Sequence, residues 1–105
     1  MSVIGKILNL FIESSKILGL NDVDIETAKE LLDHREYGLC FDTTITQIYE
    51  CNIEIDDNFY SAIVKIANKM SLPSKSYSFM KELVREKQAM PPAVKEKIAS
   101  INEYL

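Results

Sequence analysis

The strongest periodic signal lies in residues 3–18, which read VIGKILNLFIESSKIL. Apolar side chains recur there at steps of three and four residues, namely Val3, Ile4, Ile7, Leu8, Phe11, Ile12 and Leu18. This spacing predicts a helix with one apolar face, because an α-helix returns to the same side every 3.6 residues. Gly19 is expected to end it. The rest of the chain has to cover this apolar face.

Later segments repeat the helical step. The pattern predicts helices over residues 25–34, 36–51 and 57–70, and a last helix after Pro91-Pro92. Between them it predicts another helix that begins at Ser74 or Ser76, with these residues facing inward: Tyr77, Met80, Leu83 and Val84. Asp24 and Asp56 are the expected N-caps, since a side-chain oxygen there accepts a backbone N–H. Ile53-Glu54-Ile55 alternates like a strand but is too short for a sheet, so we expect an extended connector.

Residues 36–51 leave a strand as an alternative, because Gly38 weakens a helix and residues 43–46 are β-branched. The helix is favoured, since no neighbouring segment offers a partner strand and the helical step is kept by Tyr37, Phe41, Ile45, Ile48 and Tyr49.

Length and composition limit the architecture to one domain. The chain has 105 residues, of which 47% are hydrophobic and 27% charged, enough for one core. Three glycines and three prolines are too few for the turns of a sandwich or barrel. We therefore predict an all-α, single-domain bundle of five to six helices with short connections over residues 1–105.

The sequence also carries expectations about location and cofactors. No apolar run approaches the roughly 18 residues that cross a bilayer, and the first residues are too amphipathic for a secretory signal, so we expect a cytoplasmic protein without a membrane partner. Cys40 and Cys51 have no second pair and no histidine cluster beside them. They predict buried free thiols rather than a zinc site or a disulfide, and no cofactor is expected.

Charge is distributed unevenly along the chain. From Asp22 to Asn58 there are eleven acidic residues against Lys29 and Arg35, a formal charge of −9, while the remainder carries +5. Such a segment repels nucleic acid and would attract a basic protein. The alternative is a solvated surface, since an acidic excess also keeps small proteins soluble and helix N-termini attract acids.

If the acidic segment binds a partner, its contact residues are predicted to be Asp33, Glu36, Asp42, Glu50, Glu54 and Asp57, with Tyr37, Tyr49 and Tyr60 as anchors. Tyrosine offers contact area at low entropy cost, although each tyrosine could instead be a core residue with its hydroxyl at the surface. An interface on the opposite side would be expected to use Lys81, Arg85 and Lys87.

The residues suited to catalysis are few. His34 with Asp33 and Glu36 is a candidate acid–base group, and Cys40 is a candidate nucleophile. Position alone gives neither geometry nor an activated thiol, so we predict a protein without enzymatic activity. The lysines from Lys65 onward alternate with acids and lack interleaved aromatics, which favours a solvated surface over an RNA or membrane site.

Residues 28–72 add a resemblance. The run AKELLDHREYGLCF at residues 28–41, QIYE at residues 47–50, IEI at residues 53–55, and Tyr60, Ile63, Met70 and Leu72 resemble the MafI-type immunity proteins of bacterial toxin systems, which include immunity proteins of contact-dependent growth inhibition. The matching core reads Leu-Leu-x-x-x-Glu-Tyr-Gly-Leu-x-Phe. Arg35 stands where that pattern leads us to expect glycine, and Tyr77-Ser78-Phe79 lacks the expected tryptophan.

The resemblance implies a cytoplasmic immunity protein that binds the C-terminal toxin domain of a delivered effector, commonly a nuclease, as a monomer in a 1:1 complex and blocks its active site. An acidic face would then enter a cleft built for phosphate. The alternative function is a small helical adaptor or regulatory subunit for another basic or helical protein.

Overall fold

The computed structural model describes residues 2–87 and 89–105. In them the chain forms five α-helices and two short 3₁₀ helices: α1 Val3–Ile17, α2 Asp22–Asp33, α3 Tyr37–Glu50, α4 Asp57–Lys69, the 3₁₀ helices Ser74–Ser76 and Ser78–Leu83, and α5 Pro92–Tyr104. Residues 74–83 are called the 3₁₀ segment below. The all-α bundle predicted from the sequence is confirmed. None of the helices in the described ranges is long and apolar enough to span a membrane.

Helix α1 is the centre of the bundle and packs against α2, α3 and α5. The Phe11 ring lies 5.8 Å from the ring of Phe41 and 5.6 Å from that of Phe59, centroid to centroid, so one side chain joins α1 to α3 and α4. Ser14 and Ser15 are also buried, and their hydroxyls donate to backbone carbonyls one turn back at 2.9 and 2.8 Å. Those bonds satisfy the only polar groups that the two serines bring inside.

The first four α-helices end in the same way. In each, a residue with positive φ follows the C-cap, and its N–H and the next N–H donate back to the last turn in a Schellman motif. The positive-φ residues are Gly19, Arg35, Asn52 and Ser71. Gly19 thus ends α1 as predicted. The other three positions hold non-glycine residues in the left-handed conformation, so these turns need few glycines.

The start of α2 differs from the prediction that Asp24 is its N-cap. Asn21 caps the helix instead, because its side-chain oxygen accepts from the Asp24 backbone N–H at 2.9 Å, and α2 begins at Asp22. The Asp24 carboxylate in turn accepts from the Asn21 amide at 2.8 Å. At α4 the predicted cap is confirmed: Asp56 accepts from the Phe59 N–H at 2.8 Å.

The predicted helix after Ser74 or Ser76 is wrong in type, since neither serine caps it and the segment winds as 3₁₀. Its inward residues Tyr77, Met80 and Leu83 are buried as expected.

The connector at residues 53–55 is extended, and Ile55 forms an isolated parallel bridge with Val84. The Ile55 N–H donates to the Leu83 carbonyl, and the Arg85 N–H donates to the Ile55 carbonyl. This bridge holds the chain extended after Leu83, so no longer helix forms there.

Candidate protein-binding surface

The six predicted acidic contact residues all have exposed side chains, and the three predicted tyrosines are half-buried. The surface that they form is called the acidic face, and it consists of Asp33, Glu36, Tyr37, Asp42, Tyr49, Glu50, Glu54, Asp57 and Tyr60. The fold divides most of it into three parts: the outer side of α3, a hollow beside the start of α3, and a cluster where the α3–α4 connector meets the 3₁₀ segment.

The outer side of α3 carries the first part. Its inner side is occupied by buried residues, namely Cys40, Phe41, Thr44, Ile45 and Ile48. Asp42, Thr46 and Glu50 follow one another at steps of four and lie on the opposite side of the helix, with Leu39 three residues before Asp42. Leu39 is 50% exposed. Asp42 and Glu50 stand two turns apart, about 12 Å along the axis, so each carboxylate can meet a cation of its own.

The second part is a hollow of about 400 Å³ lined by Ser2, Leu32, Asp33, Arg35 and Tyr37. The Tyr37 hydroxyl accepts a hydrogen bond from the Ser2 hydroxyl at 3.0 Å, which ties the start of α3 to the start of α1. Its own proton remains available to an outside acceptor. Asp33 and Arg35 at the rim form no ion pair within the described residues, so the hollow presents both charge signs.

The third part is a cluster on the connector and the 3₁₀ segment. The Tyr49 hydroxyl donates to the Glu82 carboxylate at 3.1 Å, and the Tyr49 ring meets the Phe79 ring edge-on at 5.2 Å between centroids. The carboxylate that accepts this bond raises the pKa of Tyr49, because ionisation of the phenol would cost the bond and add a second negative charge. Glu54 forms an ion pair with Arg85.

Arg85 therefore lies beside the acidic face and contacts one of its residues, Glu54. Its Nε lies 2.8 Å from Glu54, and its guanidinium also donates to the carbonyls of Glu82 and Val84 at 2.9 and 3.0 Å. The prediction that Arg85 marks the opposite side is wrong, because the Ile55–Val84 bridge brings residue 85 against the connector. Another basic surface, which carries Lys65, Lys69 and Lys95, lies between α4 and α5.

Asp57 and Tyr60 are set apart because they belong to α4. Asp57 is exposed in the first turn of α4, where its negative charge interacts favourably with the positive end of the helix dipole. Tyr60 leans toward the 3₁₀ segment, and its ring lies 6.4 Å from that of Tyr77. Partial burial, followed by the proximity of Tyr77, raises the pKa of Tyr60. Tyr60 thus fits the alternative of a packing residue with its hydroxyl at the surface.

The residues considered for catalysis do not come together as a nucleophile and base. His34 is the exposed C-cap of α2. Cys40 is fully buried, and its thiol donates to the Ala28 carbonyl at 3.3 Å. Burial raises the pKa of this thiol to about 11, so it is protonated at neutral pH.

Cys51 is free and exposed, which corrects the prediction that both thiols are buried; it is the C-cap of α3 and lies beyond the packed turns. Within residues 2–87 and 89–105, no three His, Cys, Asp or Glu side chains lie close enough to hold a metal ion.

Sequence reasoning missed three residues that adjoin the acidic face: Leu39, Glu82 and Arg85. Leu39 falls on the polar side of α3, a position that the helical step of residues 36–51 would reveal. Glu82 and Arg85 reach Tyr49 and Glu54 from about thirty residues further along the chain, and no local pattern signals such contacts.

Comparisons of the chain with protein-family models, with curated proteins and with solved structures find no match.

Proposed function

We propose that this protein is an immunity protein that binds and neutralises a cognate bacterial toxin domain, a nuclease delivered by contact-dependent inhibition. The proposal joins the sequence resemblance at residues 28–72 to one observation, the outer side of α3. There the half-exposed Leu39 lies one turn before Asp42, and Glu50 lies two turns further along the same side of the helix. Neither carboxylate has an ion-pair partner among the described residues. An exposed apolar side chain with charged groups on the same helix face is a common arrangement for protein binding.

The mechanism follows from charge and shape. The active-site cleft of a nuclease concentrates positive potential, because it has to bind phosphates. Carboxylates on the rigid outer side of α3 would occupy the positions of two phosphates and so compete with RNA. Helical positions keep them in place, which lowers the entropy cost of binding. A specific complex commonly buries about 1,600 Å² in total, an area that one face of this bundle can supply. No side chain of this protein has to perform chemistry in such an inhibitor.

The test uses the toxin domain encoded in the adjoining upstream reading frame. Co-expression should rescue growth, and the purified protein should inhibit the toxin's nuclease activity at a 1:1 ratio. Reversals Asp42→Lys and Glu50→Lys should each slow association at low salt and reduce its salt dependence. Glu96→Lys, an exposed reversal on α5, is the matched control and should bind like the wild type.

Two results would contradict the proposal. Binding without inhibition of the nuclease would favour the adaptor or regulatory subunit. Unchanged association for both α3 reversals, with all variants folded, would show that the interface lies elsewhere on the molecule.

A further inference from the structure

A groove runs between α4 and α5, away from the outer side of α3. Two adjoining cavities of about 330 and 550 Å³ lie along it and share Lys65 and Asn102 in their linings. Both volumes fall in the range of sites that hold small ligands or a few residues of a peptide. The groove is called the α4–α5 groove below.

Three chemically distinct layers line this groove. Its floor is apolar and consists of the buried side chains of Met90, Val94 and Ile98. Its walls carry three exposed lysines, Lys65, Lys69 and Lys95. Between them stand three exposed amides, Asn58, Asn68 and Asn102.

The lysines of the groove are electrostatically unsatisfied. The ion pairs among the described residues are Arg85–Glu54 and Lys97–Glu13, so neither involves a groove lysine. The side-chain carboxylate that lines the groove is that of Asp56, which accepts the Phe59 backbone N–H as the cap of α4. Three ammonium groups therefore face a concave surface that holds a single side-chain carboxylate, so the groove carries an excess of positive charge and is complementary to an anion.

We propose that the α4–α5 groove binds an extended acidic segment of a partner protein. Carboxylates of the segment pair with Lys65, Lys69 and Lys95, and one apolar side chain rests on the floor. The asparagine amides, which both donate and accept, hydrogen-bond the extended backbone of the segment. Single-stranded RNA fits the groove less well, because its lining holds no aromatic side chain on which a base could stack.

The lining of the groove shares no residue with the acidic face, although Asp57 of that face lies between Asp56 and Asn58 in the chain. The proposed binding does not depend on toxin inhibition. It would let the protein hold a second partner while the outer side of α3 is occupied.

The test titrates the full-length, ¹⁵N-labelled protein with a panel of short acetylated and amidated peptides. Each peptide has one leucine, valine or phenylalanine flanked by glutamates, and its matched control carries glutamine in place of every glutamate. We expect amide shifts at Lys65, Asn68 and Asn102 with the glutamate peptides, weakened by added salt. The glutamine peptides should bind at least about tenfold more weakly, because they keep the apolar contact and lose the charge pairs.

Variants then place the site. The double reversal Lys65→Glu with Lys95→Glu should weaken binding at least about tenfold. Ala99→Trp should abolish it at every salt concentration, because Ala99 is exposed in the groove lining and an indole there fills the cavity. Lys29→Glu, an exposed reversal on α2 outside the groove, should bind like the wild type. Thermal melts followed by circular dichroism check that each variant folds.

Three results would overturn the proposal. The first is the absence of groove shifts with every peptide of the panel up to about 1 mM, a concentration that half-fills a site with a Kd of about 1 mM. The second is equal binding of glutamate and glutamine peptides. The third is tighter binding of a single-stranded RNA oligonucleotide at the same amides, which would assign the groove to nucleic acid.

Discussion

Arg85 and Glu54 form an ion pair, with Nε 2.8 Å from the carboxylate oxygen, that joins the chain just after the 3₁₀ segment to the connector before α4. The two side chains are 48% and 47% exposed, so water and salt screen their attraction. The pair therefore adds little to stability, and its larger effect is on charge: Arg85 places a cation within an otherwise acidic surface.

Removing this cation should speed toxin binding. Arg85→Ala is expected to lower the free energy of unfolding by about 1 kcal/mol or less, from the exposed pair and the two carbonyl contacts. Association with the toxin should become several-fold faster at low salt, since the acidic face gains negative potential. Stopped-flow fluorescence measures the association rate. The control is Lys95→Ala, which removes one positive charge in the α4–α5 groove and should leave the association rate unchanged. Slower association of the Arg85→Ala variant would mean that Arg85 contacts a toxin carboxylate.

Leu39 should slow the dissociation of the toxin complex. Leu39→Ser removes an apolar side chain that is half exposed in the free protein, so unfolding should change by only about 0.5 kcal/mol. A buried interface anchor typically costs 1 kcal/mol or more, and we expect dissociation to become about tenfold faster with the same salt dependence. Val23→Ser on α2 is the control, because Val23 is 71% exposed and lies outside the acidic face. Equal dissociation rates for both variants would exclude Leu39 as an anchor.

Much of the fold follows from local patterns, because the helical step of α1, α3 and α4 coincides with the buried side of each helix. The patterns do not predict the burial of polar residues whose hydrogen bonds are made within the helix. Ser14 and Ser15 can be buried because each hydroxyl donates to a backbone carbonyl one turn back. The start of α2 was misplaced since Asn21 and Asp24 are both suitable caps, and only the structure shows which one accepts the N–H.

The 3₁₀ segment and the cluster at Glu54 depend on contacts between distant residues. Ile55 pairs with Leu83 and Arg85 through the backbone, and side-chain patterns carry no information about such pairing. For the same reason the sequence predicted that the acids are exposed but not which of them are paired. Glu54 has a cationic partner, whereas Asp42 and Glu50 have none among the described residues.

Arg35 occupies a backbone conformation that glycine adopts more easily. Its φ is 59°, at the position after the C-cap of α2. The left-handed region costs a non-glycine residue about 1–2 kcal/mol, part of which is returned as lower entropy of the unfolded chain. Arg35→Gly should therefore raise the free energy of unfolding by about 0.5–1 kcal/mol, measured by urea denaturation. The position is the one where the sequence pattern leads us to expect glycine.

The opposite substitution provides the control. Gly19 has a φ of 115°, which side chains rarely adopt, although a Cβ there would meet no atom within 4 Å. Gly19→Ala should therefore destabilise the protein by about 1 kcal/mol or more through backbone strain alone. A destabilised Arg35→Gly would mean that the arginine side chain contributes more at the rim of the hollow than its backbone strain costs.

The two cysteines should differ in reactivity. Cys51 is exposed and should react with a disulfide reagent at pH 8 in the native protein, whereas Cys40 should react only after unfolding. Native Cys51→Ser should then show almost no reactive thiol, and native Cys40→Ala should keep one. Rapid reaction of both thiols in the wild type would contradict the buried position of Cys40 and show that α2 and α3 separate readily.

The buried thiol also predicts a dependence of stability on pH. The pKa of Cys40 rises from about 9 in the unfolded chain to about 11 in the folded protein, because burial disfavours the thiolate. The unfolded chain therefore releases this proton first, so the contribution of Cys40 is complete below pH 9 and is lost as pH rises from 9 toward 11. Urea denaturation across this range should show the wild type losing stability more steeply than Cys40→Ala. The variant is the necessary comparison, since Tyr49 and Tyr60 also have raised pKa values and titrate in both proteins. Parallel profiles for the two proteins would mean that the Cys40 thiol ionises as readily in the folded chain as in the unfolded one.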